Sequence, residues 1–312
     1  MKSSGDVLND QLAIPKKSKQ KMSKAKLKYE LIGWGFVIFS VILIATFSFY
    51  PMIQAFLLSL QTGTGMNLEF VGIDNYLRLF QDREFTGAVR NTFIYLAVQV
   101  PLMIILALVF SVILNRKGLK FKGFFRTAIF LPAITSLVAY ASVFRAMFGF
   151  NGVVNTVLVG SGLINTPLEW LTTPMLARIT IIMAITWRWT GYNMIFYLSG
   201  LQNIDSSIYE AAEIDGAGSV KQFFKITIPM LKPIILFTTI MSTIGTLQLF
   251  DEVVNITAGG PAGATVTISH YIHNLSFVRM PNFGYAATVS YAIVMMIIVL
   301  AIIQFKVAGD KS

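Results

Sequence analysis

The sequence predicts an all-α polytopic membrane protein of about six transmembrane helices, and three observations carry that prediction. The 312-residue chain is 55% hydrophobic and only 13% charged, where a soluble domain is roughly 25% charged. Its mean hydropathy is +0.67. Six apolar runs, at about 31–49 (continuing past Pro51 toward 60), 91–114, 124–148, 175–201, 230–250 and 284–305, each approach or exceed the ~20 residues that a helix needs to cross a bilayer core.

A basic tail, residues 1–30, opens the chain, and Lys16, Lys17, Lys19, Lys21, Lys24, Lys26 and Lys28 crowd it. The net charge of +10 raises the question of a nucleic-acid partner. No aromatic residue interrupts the lysines from Lys16 to Lys26, so no base-stacking surface is built there. A basic flank beside an apolar run is instead the positive-inside signature and suits anionic headgroups. The expected partner is membrane lipid and not nucleic acid. The tail is too long for a signal n-region, and the run after it exceeds a signal h-region. The first span is expected to be uncleaved, with its N-terminus in the cytoplasm.

The connections fit this layout. Arg116, Lys117, Lys120, Lys122 and Arg126 sit between the second and third runs. Lys221, Lys225 and Lys232 sit between the fourth and fifth, and Lys306 and Lys311 close the chain. All fall on the side of the basic tail, so both termini are expected in the cytoplasm. The transmembrane domain is 31–306, followed by a short tail, 307–312. The stretches 149–162 and 258–265 are Gly-rich turns on the opposite side. There is no cysteine, which excludes disulfides and thiol chemistry. His270 and His273 are expected to be polar surface or loop residues and not metal ligands, because no HExxH spacing accompanies them.

The fourth-to-fifth connection stands out. EAAEIDGAGSVKQFFKITIP, residues 210–229, is acidic at its start and holds two glycines. Ser207 and Glu210 are spaced as a capping box, and so are Ser219 and Gln222. Gly216 suits the left-handed residue that ends a helix. The segment therefore reads as a helix-turn-helix elbow on the cytoplasmic side, with small residues Ala211 and Ala212 that let another protein approach closely.

In the fourth run, ITWRWTGYNMIFYLSG (185–200) places Arg188 near mid-membrane. A charge there is costly, by about 3 kcal/mol on insertion scales, and faces a cavity or a partner. Trp189, Asn193 and Tyr197 follow at spacings of four, which puts them on one helical face. Aromatic faces stack on sugar C–H groups, and Arg, Asn and Tyr hydrogen-bond hydroxyls, so Arg188, Trp189, Asn193 and Tyr197 are the candidate solute pathway. Packing of the aromatics and pairing of Arg188 with backbone are the competing reading. Gln248, Asp251 and Glu252 are weaker candidates.

The elbow resembles the EAA motif of ATP-binding-cassette importer permeases, carried here by Glu210, Ala211, Ala212, Asp215, Gly216, Ile226, Ile228 and Pro229. FVGIDNY (70–76), FFRTAIFLP (124–132) and GGPAGAT (259–265) are similar to the carbohydrate permeases of the maltose and multiple-sugar type. The resemblance covers most of the chain beyond residue 31. It implies that the elbow, 207–229, is a coupling helix seated on a separate ATPase. The chain has no GxxxxGK[ST] stretch, so ATP and Mg would be used by that partner and no cofactor is expected here. The resemblance further implies two ATPase subunits, a second homologous permease subunit in a heterodimer, an external solute-binding protein, a carbohydrate substrate, and residence in a bacterial or archaeal cell membrane. A glycerol 3-phosphate or polyol permease is the alternative solute reading. A secondary carrier is the alternative class, disfavoured because the acids avoid the span centres. No catalytic cluster is visible, so the chain is not expected to be an enzyme.

Overall fold

The computed structural model describes residues 24–64, 67–116 and 118–309. Lys16, Lys17, Lys19, Lys21, Lys117 and Lys311 lie outside the described residues, as does most of the basic tail. The chain divides into two units, residues 1–54 and 55–312.

The first unit, where described, is helical: α1 (Lys24–Ile44), a π-turn (Ala45–Phe49) and the start of α2 (Tyr50–Ser59). Every residue from 28 to 54 is exposed. A helix that is apolar all round, with Leu31, Phe36, Phe39, Val41 and Phe47 turned outward, suits lipid rather than water. Tyr50 N–H reaches back to Ala45 O, a five-residue register. It widens the helix just before Pro51, whose ring would otherwise crowd the carbonyl four residues earlier.

The second unit begins with a hairpin, β1 (Gln61–Thr64) against β2 (Asn67–Phe70), antiparallel with Gln61 opposite Phe70. The helices that follow are α3 (Asp74–Leu79), α4 (Arg83–Asn115), α5 (Lys122–Ile134), α6 (Leu137–Met147), α7 (Val153–Gly160), α8 (Pro174–Gln202), α9 (Ser206–Ile214), α10 (Ser219–Gln222), α11 (Ile228–Leu247), α12 (Ile268–His273) and α13 (Phe283–Gly309).

Among the described residues, four helices are long and apolar enough to cross a membrane: Lys28–Ser59, Arg83–Asn115, Ser219–Leu247 and Phe283–Val307. The expected third span is not one straight helix. It breaks into α5 and α6, bent by 100°, because Thr135 and Ser136 take extended ψ values of 145° and 134°. Counted as one span, the bent pair makes five. The expected fourth span, α8, has the length, about 44 Å at 1.5 Å per residue. It falls short in apolarity because it carries Arg178, Arg188, Asn193 and several threonines.

Burial explains how α8 holds these residues. More than half of the helix is buried, among α4, α5, α6 and α11. Met194, Leu198 and Leu201 of α8 pack with Leu108 and Leu114 of α4 and Leu231 of α11. Ile181 and Ile185 pack with Tyr95, Leu249 and Val253. Lipid tails are as apolar as these side chains, so close van der Waals fit drives the packing rather than escape from water. Gly191 shows how close: a Cβ there would run into the Ile129 carbonyl and the Phe130 Cα of α5.

One acid ties together the end of the unit near α3. Asp82 caps α4, accepting from Glu84 N at 2.8 Å and Phe85 N at 3.1 Å. Its other oxygen accepts from Tyr271 Oη at 2.6 Å and Tyr285 Oη at 2.7 Å. Burial alone would raise this carboxyl, but the hydrogen bonds from Tyr271, Tyr285, Phe85 and Glu84 outweigh it and hold it below its ordinary value of 3.8. Asn155, in α7, plays a similar part for the loops on either side of that helix. It binds Phe150 O, Leu168 N and O, and Trp170 Nε1 at 2.8–3.0 Å.

Two measurements test this framework. Asp82→Ala should lower unfolding stability by about 2–3 kcal/mol, the loss of a cap and of charge-assisted hydrogen bonds. A folded value below the unfolded one means that the contribution of Asp82 is complete above about pH 4 and is lost as pH falls through the folded value. Asp82→Asn should therefore flatten that part of the acid melting profile. Gly191→Val should abolish assembly of the membrane domain, read by size-exclusion chromatography in detergent, because backbone atoms of α5 cannot yield to a side chain.

Candidate functional site

The elbow is built by local chemistry. Helix α9 is capped by Asp205, whose Oδ1 accepts Ser207 N at 2.9 Å. The expected Ser207–Glu210 capping box is therefore corrected: an acid two residues earlier takes the cap, and Ser207 lies inside the helix. Hydrogen bonds from Ser207 hold the Asp205 carboxyl below its ordinary value. The helix ends as expected at Gly216, φ +74°. Gly216 N bonds Glu213 O at 3.0 Å, and Ala217 N bonds Ala212 O at 2.8 Å, the paired closure of a Schellman motif. The second capping box is also corrected. Helix α10 starts after Gly218 without a side-chain cap, and Gln222 Nε2 instead donates to Ala217 O at 2.9 Å, bracing the turn between the two helices.

None of the residues of α9 or α10 is buried. Glu210, Ala211, Asp215 and Gly216 are exposed, and Ala212 is half-exposed. Ile214 is 88% exposed, a large apolar side chain on a charged surface. The elbow is nevertheless fixed to the helix that follows it. Tyr209 Oη and Thr227 Oγ1 lie 3.0 Å apart, and Thr227 is buried at the end of a π-turn (Phe223–Thr227) that runs directly into α11. Ile226 is half-buried in that turn, and Pro229 is exposed at the start of α11. Helix α9 is thus tied by one hydrogen bond to the π-turn, and α10 runs through that turn into α11 without a break.

A second feature lies between α4, α6, α8, α11 and the turn after α11: a cavity of about 460 Å³. Arg188, Trp189 and Asn193 line it. Arg188 is buried, and its guanidinium carbon sits 4.7 Å from the Tyr140 ring centroid and 5.6 Å from that of Trp189, within cation–π range. Asn193 Nδ2 donates to Trp189 O at 3.0 Å and approaches Met103 Sδ at 3.3 Å. Tyr197 lies outside the lining. It is fully buried among Met194, Leu198 and Leu231, and its hydroxyl is 2.6 Å from Thr238 Oγ1, a residue that does line the cavity. Tyr197 supports the wall from behind.

Gln248, Asp251 and Glu252 line the same cavity. So do Gln99, Tyr192, Phe196 and Thr246, which sequence reasoning did not single out. Gln99 Oε1 accepts from Thr246 Oγ1 at 3.1 Å, across 147 residues of chain. Tyr192 stacks edge-on between Trp189 at 5.6 Å and Phe196 at 5.1 Å. The aromatic content of α8 signalled the latter pair; nothing local pairs Gln99 with Thr246. His270, expected on a surface or loop, is buried in α12 with Phe250 against its ring.

The description "Binding-protein-dependent transport system inner membrane component" matches residues 83–308. The lactose transport system permease protein LacF of Rhizobium radiobacter is 55% identical over 93% of this chain and 98% of its own. The trehalose/maltose transport system permease protein MalF of Thermococcus litoralis is 34% identical over 91% and 96%. A bacterial ABC transporter involved in the import of the acidic polysaccharide alginate has a chain of the same fold, with TM-score 0.80 at 22% identity over 92% of this chain and 98% of that one. With α4 to α12, all but the last residue of α13, the elbow and the cavity inside the matched residues, the chain belongs to the family of binding-protein-dependent transport system inner membrane components, the permease subunits of ATP-binding-cassette importers.

Proposed function

We propose that this chain is a permease subunit of an ATP-driven carbohydrate importer, one half of a translocation pathway. The observation that carries the reading is the elbow: an exposed helix, closed at Gly216 and tied through Tyr209 and Thr227 to α11, which itself helps to wall the cavity. An ATPase seated against α9 would move α11 and so reshape the cavity. ATP and magnesium belong to that separate subunit, since this chain holds no phosphate-cradling loop. The full assembly would contain two such ATPases, a second homologous permease and an external solute-binding protein. Six spans, with α5–α6 as the third and α8 as the fourth, would put both termini and the elbow in the cytoplasm of a bacterial or archaeal cell.

The relatives' names, lactose and trehalose/maltose among them, support a sugar. The cavity supports it too, with Trp189 and Tyr192 offering ring faces, and Arg188, Asn193 and Gln99 offering polar groups. Its two acids, Asp251 and Glu252, speak against a phosphorylated solute such as glycerol 3-phosphate.

The test is ATPase activity of the co-expressed complex in lipid, stimulated by binding protein and sugar. Glu210→Lys or Gly216→Pro should abolish stimulation while the complex still assembles; normal transport by either variant would sink the coupling role. Arg188→Ala should reduce uptake by about tenfold or more, the equivalent of about 1.4 kcal/mol of lost interaction, with assembly intact. Wild-type uptake at every sugar concentration would leave Arg188 a packing residue.

A further inference from the structure

We propose that Arg188 and Glu252 form an open, hydroxyl-selecting pair in the cavity, and that Glu252 is the residue that keeps carboxylated sugars out. The inference rests on the pathway reading above and deepens it.

Both side chains are deeply buried, Arg188 at 7% exposure and Glu252 at 5%, and both line the cavity. The Glu252 carboxylate is within electrostatic reach of Arg188 and of Asp251. Yet Arg188 and Glu252 make no ion pair within 4.0 Å. Arg188 Nε and Nη1 are buried without a protein partner, while the Tyr140 hydroxyl lies within hydrogen-bonding reach of the Glu252 carboxylate. Opposite charges taken out of water at this cost normally close on each other. Here the guanidinium stays against the Tyr140 ring at 4.7 Å, and two of its donor atoms, Nε and Nη1, are left without a protein partner.

The arrangement has the chemistry of a slot for hydroxyl groups. A hydroxyl donates and accepts at once, so one sugar diol can accept from Arg188 and donate to Glu252. A carboxylate on the solute would satisfy Arg188 but would meet Glu252 and Asp251, both acceptors only when ionised. An ammonium would meet Arg188. The charged lining residues are one cation and two acids, so an anionic solute is opposed by the lining as a whole. Selection of this kind comes from repulsion of the wrong ligand as much as from attraction of the right one. Trp189 supplies the apolar face beside the slot.

The experiment is saturation-transfer NMR on the assembled complex in lipid nanodiscs, without its binding protein, so that only the permease selects. The probes are lactose and a disaccharide uronate of the same linkage. The wild type should bind lactose at least about tenfold more tightly than the uronate. Glu252→Gln should shrink that ratio by about tenfold, and Glu252→Asp should keep it. Arg188→Gln is the second arm and should weaken lactose by about tenfold and the uronate further. An unchanged ratio in Glu252→Gln, with both sugars still bound, overturns the charge filter and leaves the sugar pathway standing. Unchanged lactose binding in Arg188→Gln overturns the pairing. Failure of the wild type to bind either sugar overturns the pathway reading, and this inference with it.

Discussion

A charged, amide-bearing helix can stand in a bilayer only if other protein surrounds it, and α8 is such a helix. Lipid offers no hydrogen bonds, so each polar group in the span must be met from within. Helices α4, α5, α6 and α11 supply that enclosure. The close approach of α5 at Gly191 and the leucine-rich contact with α4 and α11 hold α8 where Arg178, Arg188 and Asn193 are sheltered. Arg178 is used up structurally, donating to Ala264 O at 2.9 Å and Asn91 Oδ1 at 3.1 Å. Arg188 is not: its Nε and Nη1 have no protein partner beside the cavity, which is why the proposed solute contact is placed there. The polar content that makes α8 a poor lipid-facing helix is what lets it line a polar cavity.

The elbow depends on the same scaffold from the other end. Its own helices are short, exposed and held by local bonds: an Asp205 cap, a Schellman closure at Gly216, a Gln222 brace. Isolated helices of this length are not stable in water. The Tyr209–Thr227 contact and the continuous passage through the π-turn into α11 give the elbow its fixed position. The π-turn, a local widening of the helix, lies between the exposed α10 and α11, which lines the cavity.

The far end of the unit is organised differently, by single polar side chains that each close several backbone or hydroxyl groups. Asp82 joins α4 to α12 and α13, and burial beside it pushes the Tyr271 hydroxyl up. Asn91 donates to Gly263 O and Val266 O at 3.1 and 2.9 Å, fastening the Gly-rich loop to α4. Irregular backbone is stable there because side chains of the helices complete its hydrogen bonds.

The sequence by itself determined that the chain is a helical membrane protein, that it carries an elbow between its fourth and fifth apolar runs, and that Arg188, Trp189 and Asn193 share a helical face. These follow from local quantities: apolar run length, a 3.6-residue period, and a glycine where φ must be positive. It also marked Gly216 as the end of α9, since no other residue turns there without strain. The tertiary structure alone decided which residue caps α9, because Asp205 and Ser207 are both good caps for helices starting two residues apart, and only the realised geometry ranks them. It decided that the third run bends by 100°, that Tyr197 supports the cavity wall rather than facing it, and that His270 is buried. It also brought Gln99 to the cavity beside Thr246 and Glu252, from a stretch of chain 147 residues before Thr246. Such meetings depend on how helices pack against one another, and the contacts that fix packing join residues far apart in sequence, where no local pattern records them.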